Sequence, residues 1–263
     1  MNIGISTACL YPMVTEDALD QLLEKGFRLF EIFFNTFSEL DEKYVQELSQ
    51  KLTRAHAHTI SLHPFTSAFE AMLFFSDYPR RTQDGLELYR KYFETANRIG
   101  AHILVLHGQR NYQKSRISPE QYLESYHRLY CLGQEYGVTV AQENVVLFRS
   151  EKASFIQWMH DTLKDECAFV LDIKQAVRAG EDPMEMCKAM GNRLVHLHLN
   201  DHLPQSDCLL PGKGNFDFVK LFDWLKTQGY QGDGVIEVYR DNYHALSELC
   251  DSHRFLLENQ HWK

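Results

Sequence analysis

Two patterns alternate along the whole chain. Short runs rich in Ile, Val, Leu and Phe begin near Asn2 (NIGIS), Arg28 (RLFEIFF), His58 (HTISLH), His102 (HILVLH), Val138 (VTVAQE), Ala168 (AFVLD), Arg193 (RLVHLHL) and Gly234 (GVIEVY). Their length and their branched side chains predict eight strands. The longer stretches between them carry apolar residues at helical spacing and predict helices over residues 15–25, 42–56, 82–99, 119–136, 152–163, 183–190, 216–228 and 243–257. Gly26, Gly100, Gly137, Gly191 and Gly229 stand where a helix must stop before the next strand, a position that favours a left-handed glycine. Strand then helix, eight times over, predicts an α/β fold: a closed parallel (β/α)8 barrel, a single domain over residues 1–263. A doubly wound open sheet is the alternative, yet no G-x-G-x-x-G follows the first strand to hold a dinucleotide.

Three connections are longer than packing needs: residues 63–81, 108–118 and 200–215. All leave the carboxyl ends of their strands, the end at which barrel enzymes assemble their sites. The first carries Phe65, Phe69, Phe74, Phe75 and Tyr78, expected either to fold over a ligand as a lid or to pack an extra short helix.

Composition narrows the function classes. A 44% hydrophobic share suffices for a large core and excludes disorder. The chain has 27 Lys+Arg against 36 Asp+Glu, a net charge of −9 that opposes the phosphate attraction on which nucleic-acid binders depend. No stretch approaches the ~18 apolar residues of a membrane span. The opening MNIGISTACLYP lacks the basic-then-apolar layout of a signal peptide, so a cytoplasmic protein with no membrane partner is expected. The six cysteines form no C-x-x-C pair, which argues against a zinc ribbon or a disulfide scaffold.

Chemistry gathers at the strand ends. Side chains alternate along a strand, so the last inward residue of each lies at the barrel mouth. Those positions hold Glu31, His63, His107, Glu143, Asp172, His198 and Glu237, each in an otherwise apolar run. An ionisable group there loses hydration unless it finds a partner. Four or more converging on one mouth need a cation, and carboxylates with imidazole suit Mn²⁺, Mg²⁺, Co²⁺, Fe²⁺ or Zn²⁺. Taken singly, each has a plainer reading. His63 and His107 can be hydrogen-bonded structural residues, Glu31 can pair with a basic loop, and His196 can fill the barrel or orient a neighbour. Lys174 points into the site if its strand stays regular. Lys213, between Gly212 and Gly214, lies in the loop after the seventh strand, near where barrels bind phosphate. Arg80, Arg81, Arg110 and Arg240 are further candidates for an anionic group.

The order of these residues resembles a known family. Glu at the fifth strand (Gln142-Glu143-Asn144), Asp at the sixth (Leu171-Asp172-Ile173), His196-Leu197-His198-Leu199-Asn200-Asp201 at the seventh and Val235-Ile236-Glu237 at the eighth resemble the xylose isomerase-like TIM barrels, the sugar phosphate isomerases and epimerases. The resemblance implies one divalent metal ion held by Glu143, Asp172, His198 and Glu237. It also implies Glu143 and Glu237 as acid and base, working through a metal-stabilised cis-enediolate of a sugar, sugar phosphate or related polyol ketone. His63, His107, Glu31, Lys174 and Lys213 are the expected substrate contacts, and a homodimer is expected by the same analogy. A dehydratase of the inosose or dehydroshikimate type is the close alternative, and a non-catalytic sugar-binding barrel the remote one. Endonuclease IV, a barrel nuclease for abasic DNA, also resembles the chain through His63 and His107. Its D-x-x-H histidine is replaced by Gln175, however, and no D-x-H stands in the connection over residues 200–215 that follows the seventh strand.

Overall fold

All eight expected strands form within one residue of their expected starts. The computed structural model describes residues 1–111 and 117–260. Its strands are β1 Ile3–Ser6, β2 Leu29–Phe33, β3 His58–His63, β4 Ile103–Leu106, β5 Thr139–Glu143, β6 Phe169–Asp172, β7 Leu194–Leu199, β8 Asp201–Leu203, β9 Ser206–Leu209 and β10 Asp233–Ile236. Eight of them close a parallel barrel in the order β1-β10-β7-β6-β5-β4-β3-β2, while β8 and β9 form a separate antiparallel hairpin. Burial on both faces explains the continuous apolar runs, of which Ile103-Leu104-Val105-Leu106 is the plainest.

The helices are α1 Thr15–Glu24, α2 Glu42–Arg54, α3 Ser67–Leu73, α4 Pro79–Ile99, α5 Pro119–Glu135, α6 Ala153–Leu163, α7 Ile173–Arg178, α8 Pro183–Met190, α9 Phe218–Thr227 and α10 Leu246–Asn259. Glycine punctuation operates as expected: Gly100 ends α4 at φ 79°, a conformation side chains with a Cβ rarely adopt. Among the described residues, no helix is long and apolar enough to cross a membrane.

Two local expectations change. The connection after β3 contains α3, and Phe74 and Phe75 are core residues: Phe74 meets Tyr89 edge-on at 4.7 Å, and Phe75 stacks on Tyr122 at 4.4 Å. These two phenylalanines therefore anchor a short helix and are unavailable to a lid, whereas Phe69 and Tyr78 are exposed. The condition set for Lys174, a strand regular through it, is not met: the strand ends at Asp172, whose carboxylate caps α7 by accepting the Gln175 N–H at 3.2 Å. Of the connection expected over 108–118, residues 112–116 lie outside the described residues.

Register sets the height of each inward side chain. An irregularity in the β6 and β7 pairing places Val170 beside His196 and Asp172 beside His198. A second one places Glu31 of β2 beside Ser61 of β3. These offsets decide which polar groups meet.

Candidate active site

At the carboxyl end of the barrel, four strand-end side chains share one centre. His198 Nδ1 lies 3.4 Å from Glu143 Oε1, 3.3 Å from Glu237 Oε2 and 3.8 Å from Asp172 Oδ2. The ligand atoms of these four residues all fall within 4.8 Å of one another. His198 Nδ1 is buried and satisfies no hydrogen bond, while the buried Asp172 Oδ2 and Glu143 Oε2 lie against Lys174 Nζ at 3.0 Å and His107 Nε2 at 2.8 Å. An unpaired buried nitrogen facing three crowded carboxylates is costly, and a divalent cation satisfies the four groups together. The donor set of three carboxylates and one imidazole thus fits a hard or borderline metal ion.

Neighbouring groups fix the geometry. Asp172 receives hydrogen bonds from Asn200 Nδ2 at 3.0 Å and the Gln175 N–H at 3.2 Å. Asn144 clamps its backbone, donating to the Asp172 carbonyl and accepting the Asp172 N–H. Lys174, on the first turn of α7, brings its ammonium to 2.9 Å from Glu237 Oε2 and 3.0 Å from Asp172 Oδ2. It reaches the site from a helix, not from an extended strand.

Electrostatics follow from this crowding. Burial works to raise the Glu237 carboxyl, but Lys174 and His198 hold it far below the ordinary carboxylate range. Glu143 behaves likewise: burial opposes its charge, and His107, His198 and His63 overcome that opposition. For Lys174 the same burial is outweighed by Asp172 and Glu237, which keep the ammonium charged.

His63 and His107 stand together on the β3 and β4 side. Their Nε2 atoms are 3.0 Å apart, and His107 Nε2 lies 2.8 Å from Glu143 Oε2. His63 Nδ1 donates to the Pro64 carbonyl at 3.1 Å, since a carbonyl only accepts. Both line a cavity of about 370 Å³ together with Glu143, Lys174, Gln175 and Glu237. Its other wall is aromatic: Tyr11, Phe33, Phe65 and Tyr239. The pattern offered a signal for this wall, since Phe33 ends its strand and Tyr239 stands two residues beyond Glu237. A wider cleft of about 750 Å³ opens at the opposite end of the barrel, but its lining lacks the convergent carboxylates.

Two expected substrate contacts stand elsewhere. Glu31 is fully buried beneath the site and is not among the residues that line the cavity. Lys213 is exposed and also lies outside the lining. The glycine loop around Lys213 wraps a carboxylate of its own chain: Asp201 accepts backbone N–H groups from His202 at 2.8 Å, Gly212 at 3.0 Å, Gly214 at 2.9 Å and Phe216 at 3.0 Å. Amides of the kind that cradle a phosphate are thereby spent on Asp201. Arg80, Arg81, Arg110 and Arg240 do not line the cavity either. Gln175, at the position of the missing histidine, accepts the Val146 N–H at 3.2 Å and ties α7 to the loop after β5.

Residues 19–259 match the family model described as xylose isomerase-like TIM barrel. An uncharacterized protein of Mycobacterium tuberculosis is 24% identical over 273 residues, covering 94% of this chain and 92% of the relative. Among solved structures, a D-tagatose 3-epimerase-like protein superposes with a TM-score of 0.79 at 20% identity, over 98% of this chain and 97% of its own. The D-allulose 3-epimerase from Methylomonas sp. gives a TM-score of 0.80 at 18% identity, over 99% of this chain and 97% of its own. At that identity the structural likeness shows the shared barrel.

Proposed function

The chain belongs to the xylose isomerase-like TIM barrel family, and from that premise we propose that it is a divalent-metal-dependent isomerase or epimerase of a sugar, sugar phosphate or related polyol ketone. One observation carries the reading: a buried imidazole nitrogen, His198 Nδ1, makes no hydrogen bond while three carboxylates crowd it at 3.3–3.8 Å. His198, Glu143, Asp172 and Glu237 hold one divalent ion of the Mn, Mg, Co, Fe or Zn kind. The structural neighbours named as 3-epimerases support a ketose as substrate.

When bound, the ion supplies Lewis acidity to adjacent carbonyl and hydroxyl oxygens, which acidifies the proton on the carbon beside the carbonyl. Glu143 and Glu237 exchange that proton, one removing it from carbon and the other returning it. Glu237 starts ionised because Lys174 and His198 hold it so. Glu143 has His107 at 2.8 Å, and the His107 side chain is 18% exposed, so a proton on Glu143 has a route toward the cavity edge. His63, His107 and Lys174 orient substrate hydroxyls, while the aromatic wall covers the carbon face of the sugar and thins the water around it.

Two measurements test this. Elemental analysis of the purified protein should find a tightly held divalent ion, and ketoses incubated in deuterium oxide should gain deuterium at the carbon beside the carbonyl. Protein free of such ions that gains no thermal stability from added Mn²⁺, Co²⁺, Mg²⁺ or Zn²⁺ rules out the metal site. A broad ketose panel without exchange rules out the reaction.

A further inference from the structure

Below the four ligand residues, on the barrel axis, lies a second polar layer that the proposed chemistry does not use. Glu31 sits there in the middle of β2 with no solvent exposure. We propose that Glu31 is a positioning residue, whose carboxylate fixes the ring proton of His198 on Nε2 and thereby turns the Nδ1 lone pair toward the metal ion. The inference rests on the reading of His198 as a ligand and assigns the group that makes it one.

Glu31 Oε2 lies 3.1 Å from His198 Nε2. An ionised carboxylate only accepts hydrogen bonds, so Nε2 carries a proton. A ring that binds an ion keeps one N–H, and with that proton on Nε2 the lone pair falls on Nδ1. Nδ1 is the atom that makes no hydrogen bond and faces Glu143, Asp172 and Glu237. The ring therefore spans two carboxylate layers, with its donor end below and its ligand end above. An N–H on a metal-bound imidazole directed to a carboxylate orients the ring and raises its basicity.

Glu31 is itself pinned. Ser61 Oγ donates to Oε2 at 2.8 Å, a contact created by the irregular pairing of β2 and β3. His196 Nε2 stands 3.3 Å from the same oxygen and 3.1 Å from Ser61 Oγ. His196 Nδ1 donates to the Asp233 carbonyl at 3.2 Å, which fixes that ring, and its plane lies at 88° to that of His198 with centroids 5.3 Å apart. His196 thus walls the carboxylate on one side, and its place in His196-Leu197-His198 follows from strand alternation. Replacing that carboxylate removes the ionised acceptor that orients the His198 ring from below.

The test uses chelator-treated protein titrated with Mn²⁺ and Zn²⁺ by calorimetry, together with ¹⁵N ring shifts of His198 in the Zn²⁺-loaded form. Wild type should show a protonated Nε2 and a Zn²⁺-bound Nδ1. Glu31→Gln should keep the same ion stoichiometry but bind about 10- to 100-fold more weakly, the usual loss for an outer partner of a ligating histidine. Ser61→Ala, which leaves the carboxylate in place, should weaken binding less and in the same direction. A folded Glu31→Gln protein that binds both ions within twofold of wild type overturns the inference, as does Zn²⁺ on Nε2 of His198. Should Glu31→Gln fail to fold, the ring shifts of the wild type decide alone. A wild type that takes up no ion removes the metal reading itself, an outcome distinct from normal binding by the variant.

Discussion

Lys174 and Glu237 form an ion pair of 2.9 Å in which the ammonium is almost wholly buried and the carboxylate nearly so. The same ammonium reaches Asp172 at 3.0 Å. Lys174 therefore pairs with two of the four proposed ligands and offsets one of their two charges, a task that a bound dication would share.

Replacing Lys174 by Met should destabilise the metal-free protein by about 3 kcal/mol, the low end of the cost of leaving a buried charge without its partner. Saturating Mn²⁺ should recover more stability in this variant than in wild type, because the ion then supplies the missing positive charge. Urea unfolding with and without chelator measures both quantities. Equal stability of the two metal-free proteins would show that Lys174 carries no such load.

Glu237→Gln keeps the shape of the side chain and removes its proton affinity. Solvent deuterium uptake should fall by roughly 10²- to 10⁴-fold, the range attributed to one acid/base group. The thermal unfolding profile should persist as a single transition. Exchange at the wild-type rate would remove Glu237 from proton transfer.

Glu70 provides a pH test away from the ligands. Its carboxyl is fully buried, and that burial lifts its pKa above the ordinary value against the lowering effects of His107, Tyr89 and the Gly108 N–H. A carboxyl whose folded pKa is raised contributes stability that is fully present below its unfolded pKa and is lost as pH rises through the folded one. Glu70→Gln retains an acceptor for the Tyr89 hydroxyl, which lies at 2.6 Å, but cannot titrate. The variant should therefore gain on wild type as pH climbs from below the usual carboxylate range through the raised value. Chemical denaturation across that range reads the difference, and parallel curves would exclude the shift.

Asp201→Ala should cost about 3 kcal/mol, since four backbone N–H groups lose a charged acceptor and charge-assisted bonds are among the stronger ones. Limited proteolysis should then cut the loop over residues 210–216 that wild type protects. Lys213→Ala, by contrast, should leave KM and ion affinity unchanged. A raised KM for a phosphorylated substrate would return Lys213 to the site.

Much of this protein is determined by local pattern. Leu104 or Val170 is apolar because parallel strands are buried on both faces, and the polar residues that interrupt such runs mark the barrel mouth. Glu143, Asp172, His198 and Glu237 were legible for that reason: each is an expensive group placed where only convergence on a partner makes it tolerable. Alternation, however, says which face a residue takes and nothing of its height. Glu31 follows the same inward rule as Glu143, yet the pairing offset of β2 and β3 sets it against Ser61 beneath the site. Lys174 was read as entering the site only if its strand stayed regular, and a helix capped by Asp172 delivers it instead. The glycines flanking Lys213 gave no hint that Asp201, eleven to thirteen residues earlier, would take their amides. The sequence by itself determined the barrel and its ring of ionisable strand ends, because periodicity and desolvation act locally. Only closure of the barrel decided the level at which each group stands and whom it meets, because register between strands depends on contacts distant along the chain.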